Sequence, residues 1–139
     1  MTGNRVLLVD DEAVLVELLR TYLERHGLRV TACTDPQEAL QLVQAGPERF
    51  WLVISDMTLP GIPGNELIQR IRAVNPAIHA MISSGYPYQP STPDVAFLQK
   101  PFLPKMLLEM IQRLPGVEGV LQSGAPASGA SAGGAAEDR

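Results

Sequence analysis

From residue 5 to about 114 the chain alternates between two hydrophobic rhythms: short unbroken apolar runs, and longer stretches in which apolar residues recur every three or four positions. The runs Val6 to Val9, Val30 to Cys33, Trp51 to Ser55, Ile78 to Ser83 and Val95 to Leu98 predict five strands. Because these runs are mostly continuous, the strands are expected to be covered on both faces, which suits a parallel sheet between layers of helices. Between the first two runs, Val14, Leu15, Leu18, Leu19, Tyr22 and Leu23 repeat at helical spacing, and Gly27 stands where a left-handed cap would close that helix. A second helix is predicted from Asp35-Pro36-Gln37-Glu38. Asp35 can cap, Pro36 suits the first turn, Glu38 is placed to cap in return, and Ala39, Leu40 and Val43 face inward. Leu67, Ile68 and Ile71 mark a third helix before Pro76, and Leu107, Ile111 and Leu114 a last one behind Pro104.

The fourth connection breaks the rhythm. Gly85 to Asp94 reads GYPYQPSTPD, with prolines at 87, 90 and 93 that each remove a backbone donor and obstruct helix continuation. A loop or a single turn is expected there, so the fourth helix is short or missing. Beyond Pro115 the pattern stops altogether: Ser123 to Ala136 contains only Gly, Ala, Ser and Pro, too little apolar bulk to offset the entropy of ordering it. The expected organisation is therefore one domain over residues 1–115, followed by a disordered tail or linker over 116–139.

Composition narrows the classes without choosing among them. A chain of 139 residues, 45% hydrophobic, is enough for one well-cored domain. Its net charge is -4 and its eleven basic residues are scattered singly, which argues against direct nucleic-acid binding or contact with an anionic membrane. No apolar stretch reaches the length of a membrane span and MTGNRV lacks a signal-peptide layout, so a cytoplasmic location is expected. Cys33 has no second cysteine to pair with, and His26 and His79 are too far apart in sequence to suggest a soft-metal site.

In an open parallel sheet, ligands bind outside the carboxyl ends of the strands, where the strand order reverses. Asp10, Asp11 and Glu12 follow the first strand, Asp56 the third, Ser83 and Ser84 the fourth, and Lys100 the fifth. With the flavodoxin-like order 2-1-3-4-5, strands one and three are neighbours at the reversal, and Asp10, Asp11 and Asp56 form one cluster. Carboxylates this close repel by roughly 4 kcal/mol per pair at about 4 Å and an effective dielectric near 20, so the group invites a divalent cation. Hard oxygen ligands favour Mg²⁺. A phosphoryl group arriving there meets the ion, an ammonium and a hydroxyl, and a carboxylate can attack phosphorus in line: Asp56, Lys100 and Ser84 fit those roles. Taken singly, Asp11 and Glu12 read as dipole or capping residues and Lys100 as a solvated charge. It is their joint placement after strands one, three, four and five that favours chemistry.

VLLVDDE, LVISDMTLPGIPG, MISSGY and FLQKPF, in that order and spacing, resemble the receiver domain of two-component response regulators, whether stand-alone or part of a hybrid histidine kinase. The resemblance covers residues 5 to 114. It implies a flavodoxin-like (βα)5 three-layer α/β sandwich in which Asp56 takes a phosphoryl group from a phosphohistidine of a histidine kinase or histidine phosphotransfer domain. Asp10, Asp11, Asp56 and the backbone carbonyl of Thr58 would hold Mg²⁺, and Lys100 would pair with the phosphoryl oxygen beside a cis peptide before Pro101. Ser84 and Phe97 would form the switch, and Thr58 and Tyr86 would influence dephosphorylation. The domain would catalyse its own aspartyl phosphorylation and dephosphorylation, with a weak homodimer allowed. Departure from the family in the fourth helix puts output through that face in doubt and tilts the expectation toward onward phosphotransfer. With no effector domain in the tail, a lone receiver or a piece of a hybrid kinase is expected.

Three other readings compete. An aspartyl-nucleophile phosphatase wants a second Asp two residues after the first, where this chain has Thr58. A flavodoxin-like cofactor module needs a Gly- or hydroxyl-rich loop after strand one, and Asp10-Asp11-Glu12 would repel its phosphate. A receiver-like interaction module without phosphorylation needs a reason for all five site residues to be present, and the chain supplies none.

Overall fold

A computed structural model of the chain describes residues 3–118. Its elements run β1 (Arg5–Val9), α1 (Ala13–Arg25), β2 (Arg29–Cys33), α2 (Pro36–Ala45), β3 (Leu52–Asp56), α3 (Gly64–Val74), β4 (His79–Ser84), β5 (Val95–Gln99) and α4 (Pro104–Gln112). All strands are parallel, in the order β2-β1-β3-β4-β5. This is the expected flavodoxin-like winding, with its reversal between β1 and β3. Each strand matches its predicted run to within one residue. The additions at the ends are polar residues such as Arg5, Asp56 and Gln99, which pair through their backbones with Arg29, Ser83 and Ser84 whatever their side chains are.

Successive strand residues point to opposite faces, and two cores result. Leu7, Val9, Val53 and Ile82 pack under α2 and α3, while Val6, Leu8, Ile54 and Met81 pack under α1 and α4. The edge strands β2 and β5 are less buried than the three between them.

Local signals hold at the helix ends. The Asp35 carboxylate accepts the Gln37 N–H at 2.9 Å, and Pro36 opens α2. Gly27 takes φ 94°, and the Leu28 N–H reaches back to the Leu23 carbonyl, which closes α1. The inward face of α1 differs from the expected stripe. Val16, Leu19 and Leu23 are its buried line, while Val14 and Leu18 are 86% and 55% exposed. Apolar residues at seven of the ten positions from 14 to 23 define a face too broad to centre from spacing alone, and packing on β1 selects the line through Val16. At the other end of the chain α4 stops at Gln112, and Leu114 packs on the same core from beyond the helix.

Gly85 to Asp94 contains no helix and runs across the α3 side of the sheet as a strap. Tyr88 tucks against the α2–α3 core, and Asp94 pairs with Arg72 of α3 at 3.0 Å. The strap covers this face incompletely, leaving a cavity of about 50 Å³ bordered by Ile68, Ile82, Tyr88 and Val95. At the opposite end of the sheet from the acidic loop, the Gly3 N–H bonds to the Gly116 carbonyl and the Glu118 N–H to the Gly3 carbonyl. The rest of the expected tail lies outside the described residues. Among the described residues no helix is long and apolar enough to cross a membrane.

Candidate functional site

The parallel register assembles the site. Val9 pairs with Ser55, so Asp10 leaves β1 level with Asp56. Asp56 pairs with Ser83, and Ser84 with Gln99, which brings Lys100 to the same edge. Hydrogen bonds extend the ladder past the strand ends: Asp10 N–H to the Cys33 carbonyl at 3.1 Å, Met57 N–H to that of Ser83 at 2.7 Å, and Lys100 N–H to that of Ser84 at 2.7 Å. Backbone fixed in this way holds short side chains to a small volume. The peptide between Lys100 and Pro101 is cis, as the family resemblance implied.

Asp10, Asp11 and Asp56 each offer a carboxylate oxygen within 4.8 Å of the others. Asp10 and Asp56 are 3% and 7% exposed, whereas Asp11 faces solvent. Lys100 Nζ lies 2.8 Å from Asp10 Oδ2, 3.1 Å from Glu12 Oε1 and 3.4 Å from Asp56 Oδ2. The Glu12 N–H donates to Asp10 Oδ1 at 3.0 Å, so both oxygens of the buried Asp10 are partnered. Four carboxylates against one ammonium leave a formal excess of three negative charges. Closely set hard oxygens, excess negative charge and one solvent-facing ligand fit a divalent cation such as Mg²⁺.

Burial and the neighbouring Asp10 charge push the Asp56 carboxyl up from its ordinary pKa, against the opposing pull of Lys100 and of the Thr58 backbone N–H. Burial works against the Lys100 ammonium. Its hydrogen bonds to Asp10 and Glu12 and the charges of Asp10 and Asp56 outweigh that cost and hold it well above the usual lysine range. Cys33, beside this edge, is pushed up to about 11 by burial and by Glu38 and Asp35, so its thiol is inert.

The remaining predicted residues surround this centre. Ser84 is buried on the neighbouring strand, and its Oγ accepts the Tyr86 N–H at 3.0 Å, which leaves the hydroxyl proton to donate. Thr58 is exposed, and Tyr86 is 76% exposed. Phe97 is not part of the carboxylate cluster. It is half-buried in the middle of β5 with its ring 6.2 Å from that of Tyr88.

Two residues were misjudged or missed in the sequence. Glu12 is the N-cap of α1 by backbone position, yet its side chain makes no capping bond and reaches Lys100 instead. Gly64 packs against the backbone of the site: a Cβ there would lie 2.1 Å from the Asp56 carbonyl oxygen, and its N–H bonds to the Met57 carbonyl at 2.8 Å. The available signal was the glycine closing LPGIPG, eight residues after Asp56, at a helix start where a glycine needs a reason.

A family model described as the response regulator receiver domain matches residues 6–112. The chain belongs to this family. Among curated relatives, the receiver domain is 30% identical over 117 residues to the transcriptional regulatory protein FixJ of Bradyrhizobium diazoefficiens, covering 80% of this chain and 56% of FixJ. It spans about half or less of the length of the first such relatives, with 12% and 22% for two others. Among solved structures, the receiver domain of the hybrid histidine kinase CckA matches with a TM-score of 0.72 and 31% identity, covering 78% of this chain and 96% of that one. A response regulator from Burkholderia pseudomallei, solved with a phosphorylated aspartic acid, calcium ion and citrate, matches with a TM-score of 0.68 and 28% identity over 79% of this chain and 67% of its own.

Proposed function

We propose that this receiver domain accepts a phosphoryl group on Asp56 from a phosphohistidine of a histidine kinase or histidine phosphotransfer protein. The observation that carries the reading is Asp56 itself, a nearly buried carboxylate at the reversal of the sheet, 3.4 Å from a lysine ammonium and clustered with Asp10 and Asp11. The phosphorylated aspartic acid of the Burkholderia relative supports it. An Asp56 oxygen attacks phosphorus in line with the bond to the donor nitrogen, which leaves with the bonding electron pair. Burial and the Asp10 charge make that oxygen a stronger base, and so a stronger nucleophile, than a solvated carboxylate. Lys100 and the Ser84 hydroxyl donate hydrogen bonds to the phosphoryl oxygens, where charge is spread in the transition state. Asp10, Asp11, Asp56 and the Thr58 carbonyl would hold Mg²⁺, which when bound neutralises charge on those same oxygens.

A phosphoryl group brings close to two negative charges and strong acceptors, enough to draw Ser84 toward Asp56 and to shift Phe97 behind it. Thr58 and Tyr86 flank the path of the hydrolysing water, and the exposed Tyr86 ring shields it. The protein donor docks on the exposed apolar residues Val14 and Leu18 of α1 and Leu103 and Met106 at the start of α4. Both helices begin at the edge that carries Asp56, so a helix bearing the phosphohistidine can rest there with its imidazole over the site.

Intact-mass spectrometry after incubation with acetyl phosphate, with and without Mg²⁺, tests the chemistry. The expected result is a Mg²⁺-dependent phosphoryl adduct that is absent in Asp56→Asn and shorter-lived in Tyr86→Ala. If no adduct forms while Mg²⁺ binds, the receiver is an interaction module without phosphorylation.

A further inference from the structure

Lys100 has three N–H donors and, in the resting site, three carboxylates in reach. Asp56 is the proposed nucleophile, and Asp10 belongs with it to the cation-ligating set. Glu12 is neither. Its side chain makes no capping bond to α1 and is 63% exposed, yet it closes on the ammonium across 88 residues of sequence. Its backbone N–H meanwhile holds Asp10 Oδ1, so one residue meets the lysine directly and also orients the lysine's partner Asp10. We infer that Glu12 is a positioning residue for phosphoryl transfer, holding the Lys100 ammonium at the mouth of the site, where a phosphoryl oxygen arrives. This rests on the phosphoacceptor reading of Asp56.

The expected kinetics follow from balancing both steps. On phosphorylation by acetyl phosphate, a bond forms between an Asp56 oxygen and phosphorus, the bond from phosphorus to the acetyl oxygen breaks, and acetate leaves with the electron pair. On hydrolysis a water oxygen bonds to phosphorus, the bond to Asp56 breaks with its electron pair returning to the carboxylate, and inorganic phosphate departs while the proton lost by the water passes to bulk solvent. Both pass through a metaphosphate-like group between two oxygens, with charge on the same equatorial oxygens that Lys100 faces. A misplaced Lys100 therefore slows both steps. A mere reduction of negative charge at the mouth has the opposite sign, since it speeds the approach of an anionic donor.

The full chain, its Glu12→Ala and its Glu12→Gln variants are phosphorylated with acetyl phosphate and Mg²⁺, and adduct growth and decay are followed by intact mass. Glu12→Ala is expected to slow both growth and decay by about threefold, the scale of one exposed charged pair. Glu12→Gln, which keeps an oxygen acceptor at the same reach, recovers most of both rates. The Lys100 side-chain nitrogen resonance shifts in Glu12→Ala, which a bystander on α1 would not cause. Unchanged rates, faster growth in Glu12→Ala, or a Gln variant no better than Ala would overturn the inference while leaving Asp56 as phosphoacceptor. No adduct on the unaltered chain would remove both.

Discussion

As the proposed phosphoacceptor Asp56 would have to be ionised while nearly buried and close to another carboxylate, and these three conditions oppose one another. Its pKa is raised in the folded protein, by burial first and by Asp10 second. A carboxyl with a raised folded pKa favours the fold when protonated, below its unfolded value, and loses that contribution as pH rises through the folded value. At neutral pH the ionised Asp56 therefore costs stability. Asp56→Asn, which removes the charge and keeps the shape, should melt about 3–6 °C higher in metal-free buffer at neutral pH, roughly 1 kcal/mol in a domain of this size. The gap should close as pH falls through the carboxylate range, and equal melting at neutral pH would mean that pairing with Lys100 outweighs burial. Asp10, Asp56 and Lys100 were legible in the sequence because each stands at or just past the end of an apolar strand and the topology rule sends strand ends to one edge. Glu12 was not: an acid at a helix start has a ready explanation in the dipole, and only the fold shows that Lys100 comes within 3.1 Å of it.

The fourth connection is an element in which sequence and structure agree through steric exclusion. Three prolines within Gly85–Asp94 forbid a helix, and none forms. Where the strap would lie, and what would hold it, was not legible. That depends on Tyr88 reaching a core built from α2 and α3, and on Arg72 pairing with Asp94 across 22 residues. The Arg72–Asp94 pair is largely exposed on the Asp94 side and contributes little alone, so Tyr88 is the main anchor. Tyr88→Ala should lower global stability by roughly 1 kcal/mol, since the ring is only partly buried. Backbone amides of residues 85–94 should exchange about tenfold faster by hydrogen-exchange mass spectrometry, with α1 and β1 unchanged. Unaltered exchange in the strap would assign its anchoring to Arg72. The contact between Tyr88 and Phe97 gives the strap a physical link to β5, so movement of Phe97 on phosphorylation would be felt there first.

Across the whole molecule the two edges of the sheet divide the work. One edge is closed by backbone pairing of Gly3 with Gly116 and Glu118, while the other gathers Asp10, Asp11, Glu12, Asp56 and Lys100. Beside that second edge, α1 and α4 leave Val14, Leu18, Leu103 and Met106 exposed, although their opposite faces are fully buried. Large apolar side chains beside the proposed phosphoacceptor fit a macromolecular donor better than a small one, because acetyl phosphate has nothing to rest on them. A donor helix covering them would gain affinity and orientation at once, and orientation is what would bring a phosphohistidine in line with Asp56. Leu18→Asp places a charge within this apolar group and adds to the negative charge that a donor would meet at Asp11 and Glu12. The rate of phosphorylation by a histidine-phosphorylated donor protein, divided by the rate with acetyl phosphate, should fall about tenfold in Leu18→Asp, close to 1.4 kcal/mol of lost docking. A ratio unchanged from the unaltered chain would mean that the donor approaches over the strap and α3 instead, and would move the docking surface to the other face of the sheet.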